Sequence, residues 1–177
     1  AKHQGFLELS GLKTASDAVL RALSKYEGDY LGLDGLRDIS DFGIKALANT
    51  KANLDLSSLE VISDDALELL VRGRRDFLRL GLQSLSEKQA KILKLFHGEV
   101  LELNSLDEIS NTIAESLARL SCDRLSLGGL HDSSESVAER LGSMATDGLS
   151  LSGRLKISRT ALDQLLGASS GQGSWWL

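Results

Sequence analysis

The stretch LDLSSLEVISDDALELL, residues Leu54 to Leu70, changes its hydrophobic period partway along, and so spells out a strand, a turn and a helix in seventeen residues. Leu54 and Leu56 alternate with Asp55, which puts both leucines on one side of an extended chain and the aspartate on the other. Leu59 and Ile62 come three residues apart, a spacing suited to a tight turn that keeps returning an apolar side chain inward. Ser63 stands where a helix N-cap belongs, with a hydroxyl able to accept from an otherwise unpaired backbone N–H. Asp64 follows it, where the positive end of a helix dipole favours an acid. Ala66, Leu67 and Leu70, at three, four and seven residues after the serine, form one apolar stripe at helical spacing.

The same reading applies seven times. The strand pairs are Leu7/Leu9, Leu31/Leu33, Leu54/Leu56, Leu78/Leu80, Leu101/Leu103, Leu125/Leu127 and Leu149/Leu151, so successive units are 24, 23, 24, 23, 24 and 24 residues apart. A fixed period of this size marks a solenoid. The capping serines are Ser16, Ser40, Ser63, Ser86, Ser110, Ser134 and Ser158. Each is followed after seven residues by a leucine: Leu23, Leu47, Leu70, Leu93, Leu117, Leu141 and Leu165. A lone unit would leave its leucine face wet and its two- to three-turn helix too short to persist. Stacking the units buries those faces in one column, with about 2 kcal/mol contributed by each fully buried leucine. Two units depart from the pattern. The fourth is one residue short between strand and cap, and the second is one residue short after its helix, so a surface irregularity is expected between Arg72 and Leu85.

With 177 residues in one array, a single domain over residues 1–177 is expected. The formal net charge of -5 and the scatter of Lys and Arg argue against a nucleic-acid partner. The densest basic run, Arg72, Arg74 and Arg75, is read as solvating a helix end. No apolar run approaches the roughly 20 residues needed to cross a bilayer, and a soluble chain, cytoplasmic or secreted, is expected. The single cysteine, Cys122, cannot form an internal disulfide, which leans toward a reducing compartment or a bacterial source. The start at Ala1 without Met fits a processed protein or a cut-out domain.

The alternation of a Leu-x-Leu strand, a turn and a Ser-Asp-led helix resembles the leucine-rich repeat family over residues 6–166. LDLSSLEVISDDALELL and LGLDGLRDISDFGIKALA, Leu31 to Ala48, are similar to its cysteine-containing subclass, with leucine (Leu12, Leu36, Leu59, Leu106, Leu130) at the Cys or Asn position. Three residues before each strand pair, where the family pattern has Leu, stand Gln4, Gly28, Lys51, Arg75, Gly98, Cys122 and Thr146, a bacterial-looking variation. The resemblance implies an α/β, right-handed solenoid, with a parallel sheet on the concave side and short helices on the convex side. Seven repeats and the start of an eighth strand at Trp175, Trp176 and Leu177 are expected.

If the leucines face inward, the residues alternating with them face solvent. Ten are candidate binding residues: Phe6, Glu8, Tyr30, Asp34, Asp55, Phe77, Arg79, Val100, Glu102 and Arg124. Phe6, Tyr30, Phe77 and Val100 share one column, and aligned exposed aromatics are candidate interface anchors. Aromatics also populate strands because they pack well on their neighbours, which is the competing reading. Acidic Glu8, Asp34, Asp55 and Glu102 outnumber Arg79 and Arg124, so a basic or mixed partner fits the face. Seven strands about 4.8 Å apart span roughly 29 Å, room for a protein patch or an extended peptide. The last third of the face is nearly all Gly and Ser.

Catalytic chemistry is not legible. His3, His97 and His131 bring no thiol or carboxylate at ligand spacing, Cys122 has no local His, and the glycine pairs recur with the repeat as turn residues. No cofactor, metal or enzymatic activity is expected, and no membrane contact. A protein or peptide partner on the strand face is the favoured expectation, with a structural spacer within a larger protein as the alternative. Both ends look open, so the chain is expected to be part of a longer protein or to self-associate through Trp175 and Trp176.

Overall fold

In the computed structural model, which describes residues 5–131, 134–143 and 148–151, strands and helices alternate without exception. The strands are β1 (Phe6–Glu8), β2 (Tyr30–Gly32), β3 (Asn53–Leu56), β4 (Phe77–Leu80), β5 (Val100–Glu102), β6 (Arg124–Ser126) and β7 (Gly148–Ser150). Between them lie helices α1 (Asp17–Leu23), α2 (Asp41–Leu47), α3 (Asp64–Val71), α4 (Glu87–Leu93), α5 (Asn111–Leu117) and α6 (Glu135–Gly142). The strands form one open parallel sheet in chain order, and the helices pack neighbour on neighbour. This is an α/β solenoid.

The register is set by leucine. Leu7, Leu31, Leu54, Leu78, Leu101, Leu125 and Leu149 are successive cross-strand partners along the sheet. Both leucines of every pair from the second unit to the sixth are at most 1% exposed. Leu7 and Leu9 are only partly buried, β1 having β2 as its one neighbour among the described residues. In units one, two, three, five and six the third leucine closes a turn onto the carbonyl of the second pair leucine, as in Leu59 N–H to Leu56 O at 3.0 Å. Unit four, short by one residue, has no such turn among the described bonds. Instead Leu82 continues the period of two behind Leu78 and Leu80 and is buried, while Gly81 N–H extends the ladder to Leu56 O at 3.0 Å.

Each of the six helices begins at its serine. Ser16, Ser40, Ser63, Ser86, Ser110 and Ser134 all accept from the backbone N–H three residues on, and Ser86 adds a reciprocal bond through Gln89. The acid after the serine does more than complement the dipole. Ser40 donates its hydroxyl to Asp17 at 2.6 Å and Ser63 donates to Asp41 at 2.9 Å, so one unit's cap is tied to the start of the previous helix. Ser158, Leu165, Trp175 and Trp176, with the expected eighth strand, lie outside the described residues.

The loops entering the strands hold a size exchange. The residue ten after each cap donates its N–H to the carbonyl of the leucine seven after the cap, at Tyr26, Thr50, Gly73, Phe96 and Leu120 alike. Two residues later stand Gly28, Ala52, Arg75, Gly98 and Cys122. A Cβ on Gly28 would strike the Tyr26 ring, and one on Gly98 would strike both the Phe96 ring and the Arg75 backbone carbonyl of the preceding unit. In unit three the order is reversed, and a Cβ on Gly73 would strike the Arg75 guanidinium. In units one, three and four one space is filled from either position. Arg75 is therefore not a solvated helix-end residue: it is 4% exposed, donates from Nη2 to the Ala48 and Thr50 carbonyls at 3.2 and 3.4 Å, and has Nε and Nη1 without partners among the described residues. Burial pulls its pKa down to about 10. Arg72 and Arg74 are exposed, and Arg72 pairs with Glu68 one helical turn back.

Candidate functional site

The open face of the sheet carries the residues that alternate with the leucines. Its first column, in register, is Phe6, Tyr30, Asn53, Phe77, Val100, Arg124 and Gly148. Its second is Glu8, Gly32, Asp55, Arg79, Glu102, Ser126 and Ser150. Period-two alternation on a rigid ladder puts each of these side chains at a fixed place.

The aromatic row is continuous although its column is not. Phe6 and Tyr30 are neighbours with ring centroids 5.6 Å apart, and Tyr30 reaches past Asn53 to Phe77 at 6.2 Å. Gly32 makes room for this reach: a Cβ there would sit 3.3 Å from the Tyr30 ring and 3.4 Å from Glu8 Cγ. Asn53 leaves the row because its side chain is used elsewhere. The first N–H of β2, β3, β5, β6 and β7 bonds to a backbone carbonyl of the preceding unit, but unit two lacks one residue just there. Asn53 Oδ1 substitutes for that carbonyl, accepting from Asp76 N–H at 3.1 Å and Phe77 N–H at 2.9 Å. The irregularity expected between Arg72 and Leu85 thus extends back to Asn53.

Below the rings lies an ion-paired chain. Arg79 donates from Nη1 to Asp55 and from Nε to Glu102, both at 2.6 Å, and its guanidinium lies over the Phe77 ring at 5.3 Å. Burial works against the Arg79 charge, and the bonds to Glu102 and Asp55 outweigh it, so the pKa is raised. The Tyr30 hydroxyl donates to Asp55 Oδ2 at 3.1 Å. Burial first, and the Asp55 carboxylate second, push the Tyr30 phenol up to about 12.

Asp55 does not meet the expectation of a solvent-facing contact residue. It is 3% exposed, with oxygens occupied by Tyr30, Arg79 and the Ser57 N–H. A carboxylate on this face is stable at such burial because three donors replace its water. Of the other candidates, Phe6 is 78% exposed, and Glu8 and Arg124 are exposed. Tyr30, Asp34, Phe77, Arg79, Val100 and Glu102 are half-buried. Phe6, Glu8, Tyr30, Asp55, Phe77, Arg79 and Glu102 are brought together over units one to five, while Asp34 flanks them and Arg124 lies one strand beyond. Asn53 was visible only as a face residue. Its structural task is betrayed in sequence by the 23-residue step it falls in.

Toward unit seven the face turns bare, with Ser126 buried and bonded to Asn104 at 2.7 Å and Gly128 N–H held by the same amide at 2.8 Å. Gly35, Gly81 and Gly129 lie against the backbone of the preceding turn, so a side chain at any of them would collide with it. A cleft of about 800 Å³ opens beside the loops of units one to three, lined by Lys25, Glu27, Asp29, Lys51 and Asp76 among others, with charges of both signs. Among the described residues no three His, Cys, Asp or Glu side chains converge as metal ligands, and no helix is long and apolar enough to cross a membrane. Cys122 is buried in the loop position that Arg75 fills elsewhere, and burial raises its thiol to about 11. Comparison with protein-family models and with curated proteins finds no match for this chain.

Proposed function

We propose that the chain is a non-catalytic protein-binding module of the leucine-rich repeat type that engages a polypeptide partner on the open sheet face. The row Phe6–Tyr30–Phe77, held on a rigid ladder and pinned by the Tyr30 bond to Asp55, carries this reading. Aromatics fixed before binding lose little side-chain entropy on association, which is how a few such residues come to dominate an interface. The bare Gly and Ser end of the face supports a spacer as the second reading. A displayed random-peptide library selected on the protein and re-screened on the Tyr30→Ala/Phe77→Ala double variant separates the two. Selected peptides should lose about tenfold or more in affinity on a double variant that keeps its circular dichroism. Equal binding to both proteins, or no selected binder, favours the spacer.

A further inference from the structure

Along the second column, the sheet repeats one arrangement with one member exchanged. Across β3, β4 and β5 the order is carboxylate, arginine, carboxylate: Asp55, Arg79, Glu102. Across β1, β2 and β3 it is Glu8, Gly32, Asp55. In both sets the middle strand also carries an aromatic residue two positions before, Phe77 ahead of Arg79 and Tyr30 ahead of Gly32. Arg79 shows what fits such a place, since its guanidinium stacks on Phe77 while pairing with the carboxylates on either side. Gly32 brings no cation, and the Tyr30 ring and the Glu8 side chain close over its backbone, so Phe6 and Glu8 are the exposed members of this set. The rings Phe6 and Tyr30 are present, and Glu8 is exposed with no ion pair among the described residues.

We infer that the Phe6–Tyr30–Glu8 patch receives an arginine side chain from the polypeptide partner, stacked on the exposed Phe6 ring and paired with Glu8, in the combination of ring and carboxylate that Arg79 meets two strands on. This rests on the protein-binding reading of the face and specifies what the face recognises. Charge complementarity favours it, because Glu8 is the exposed carboxylate of this patch and has no ion-pair partner among the described residues. Arginine fits better than lysine because its planar, weakly hydrated guanidinium stacks on a ring and bonds a carboxylate in the same pose.

The test uses fluorescein-labelled hexa-arginine, hexa-lysine and hexa-glutamate, titrated by anisotropy at about 0.15 M ionic strength to screen diffuse attraction. Amide chemical shifts map the site. Hexa-arginine should bind roughly threefold or more tighter than hexa-lysine, a margin set by exposed cation–π stacking, with shifts centred on Phe6–Glu8 and Tyr30–Gly32. Phe6→Ala should remove that margin, Glu8→Gln should weaken both cationic peptides, and hexa-glutamate should not bind. Equal affinity for the two cationic peptides, shifts centred elsewhere, or no binding of hexa-arginine overturns the arginine assignment. The library selection judges the open-face reading separately, since concave-face binders without arginine would leave that reading standing.

Discussion

The reversed pair in unit three allows a sharp test of how the loops pack: exchange Gly73 and Arg75 for the Phe and Gly that unit four has at Phe96 and Gly98. Gly73→Phe alone forces a ring into the space of the Arg75 guanidinium, which a Cβ at Gly73 would already strike. Overpacking of this kind costs about 2 kcal/mol. Arg75→Gly alone empties that space and unpairs the Ala48 and Thr50 carbonyls, offset in part by relief of a buried charge with two unpaired nitrogens. That loss is also about 2 kcal/mol. In the double variant the ring fills the vacated volume, the orphaned nitrogens are gone, and stability should return to within about 1 kcal/mol of the parent. The interaction energy between the two sites is then about 3 kcal/mol. Urea unfolding measures it, and melting should show each single variant lowered by roughly 4 to 8 °C with the double near the parent. A double variant less stable than either single one would refute the shared-volume argument.

Three further outcomes are expected. Asn53→Ala strips the acceptor from two N–H groups and should cost about 1–3 kcal/mol, with faster amide exchange at Asp76 and Phe77, whereas Asn53→Asp, which keeps an acceptor oxygen, should lose less. Leu103→Asp puts a carboxylate at a fully buried ladder position and should unfold the array or open its middle to protease; unchanged melting would contradict the register. Tyr30 is protonated more readily folded than unfolded, its pKa standing at about 12 against an ordinary 10.0. The folded state therefore binds more protons between those values, so its contribution is intact below pH 10 and lost as pH rises toward 12. Tyr30→Phe should lack that fall, which a comparison of urea midpoints across the window reads directly.

The backbone plan was legible because it is written seven times. Leu54, Leu56, Ser63 and Leu70 each do one job that stacking demands, and a misreading in one unit is corrected by the next. Arg75 was misread because local sequence, three arginines after a helix, reports solvent exposure, whereas its burial depends on Gly73 having vacated a volume that only the neighbouring units define. Asp55 was read correctly as facing away from the leucines and wrongly as exposed. Alternation tells which side a side chain leaves from, but the donors that cover it come from Tyr30 and Arg79, 25 and 24 residues away. Asn53 belongs to the same class: the missing residue was countable in sequence, but the atom that replaces its carbonyl was not.

A solenoid separates what stacking requires from what it leaves open. Positions identical in every unit, the leucine pairs and the capping serines, are fixed by contact with the units on either side, so their identity carries no information about a ligand. Information resides where units differ while the backbone stays the same. Column two is such a place, since Gly32, Arg79 and Ser126 occupy equivalent sites on β2, β4 and β6 and none is demanded by the ladder. Arg79 joins three strands through two carboxylates, whereas Gly32 brings no cation to Glu8, which stays exposed and without an ion pair among the described residues. If stacking alone governed the face, that difference would have no consequence for binding, and Phe6→Ala or Glu8→Gln would leave the preference for arginine over lysine untouched. A preference that follows those two exposed side chains, on a sheet whose melting they do not alter, would place recognition at units one and two, where the second column departs from the carboxylate–arginine–carboxylate order.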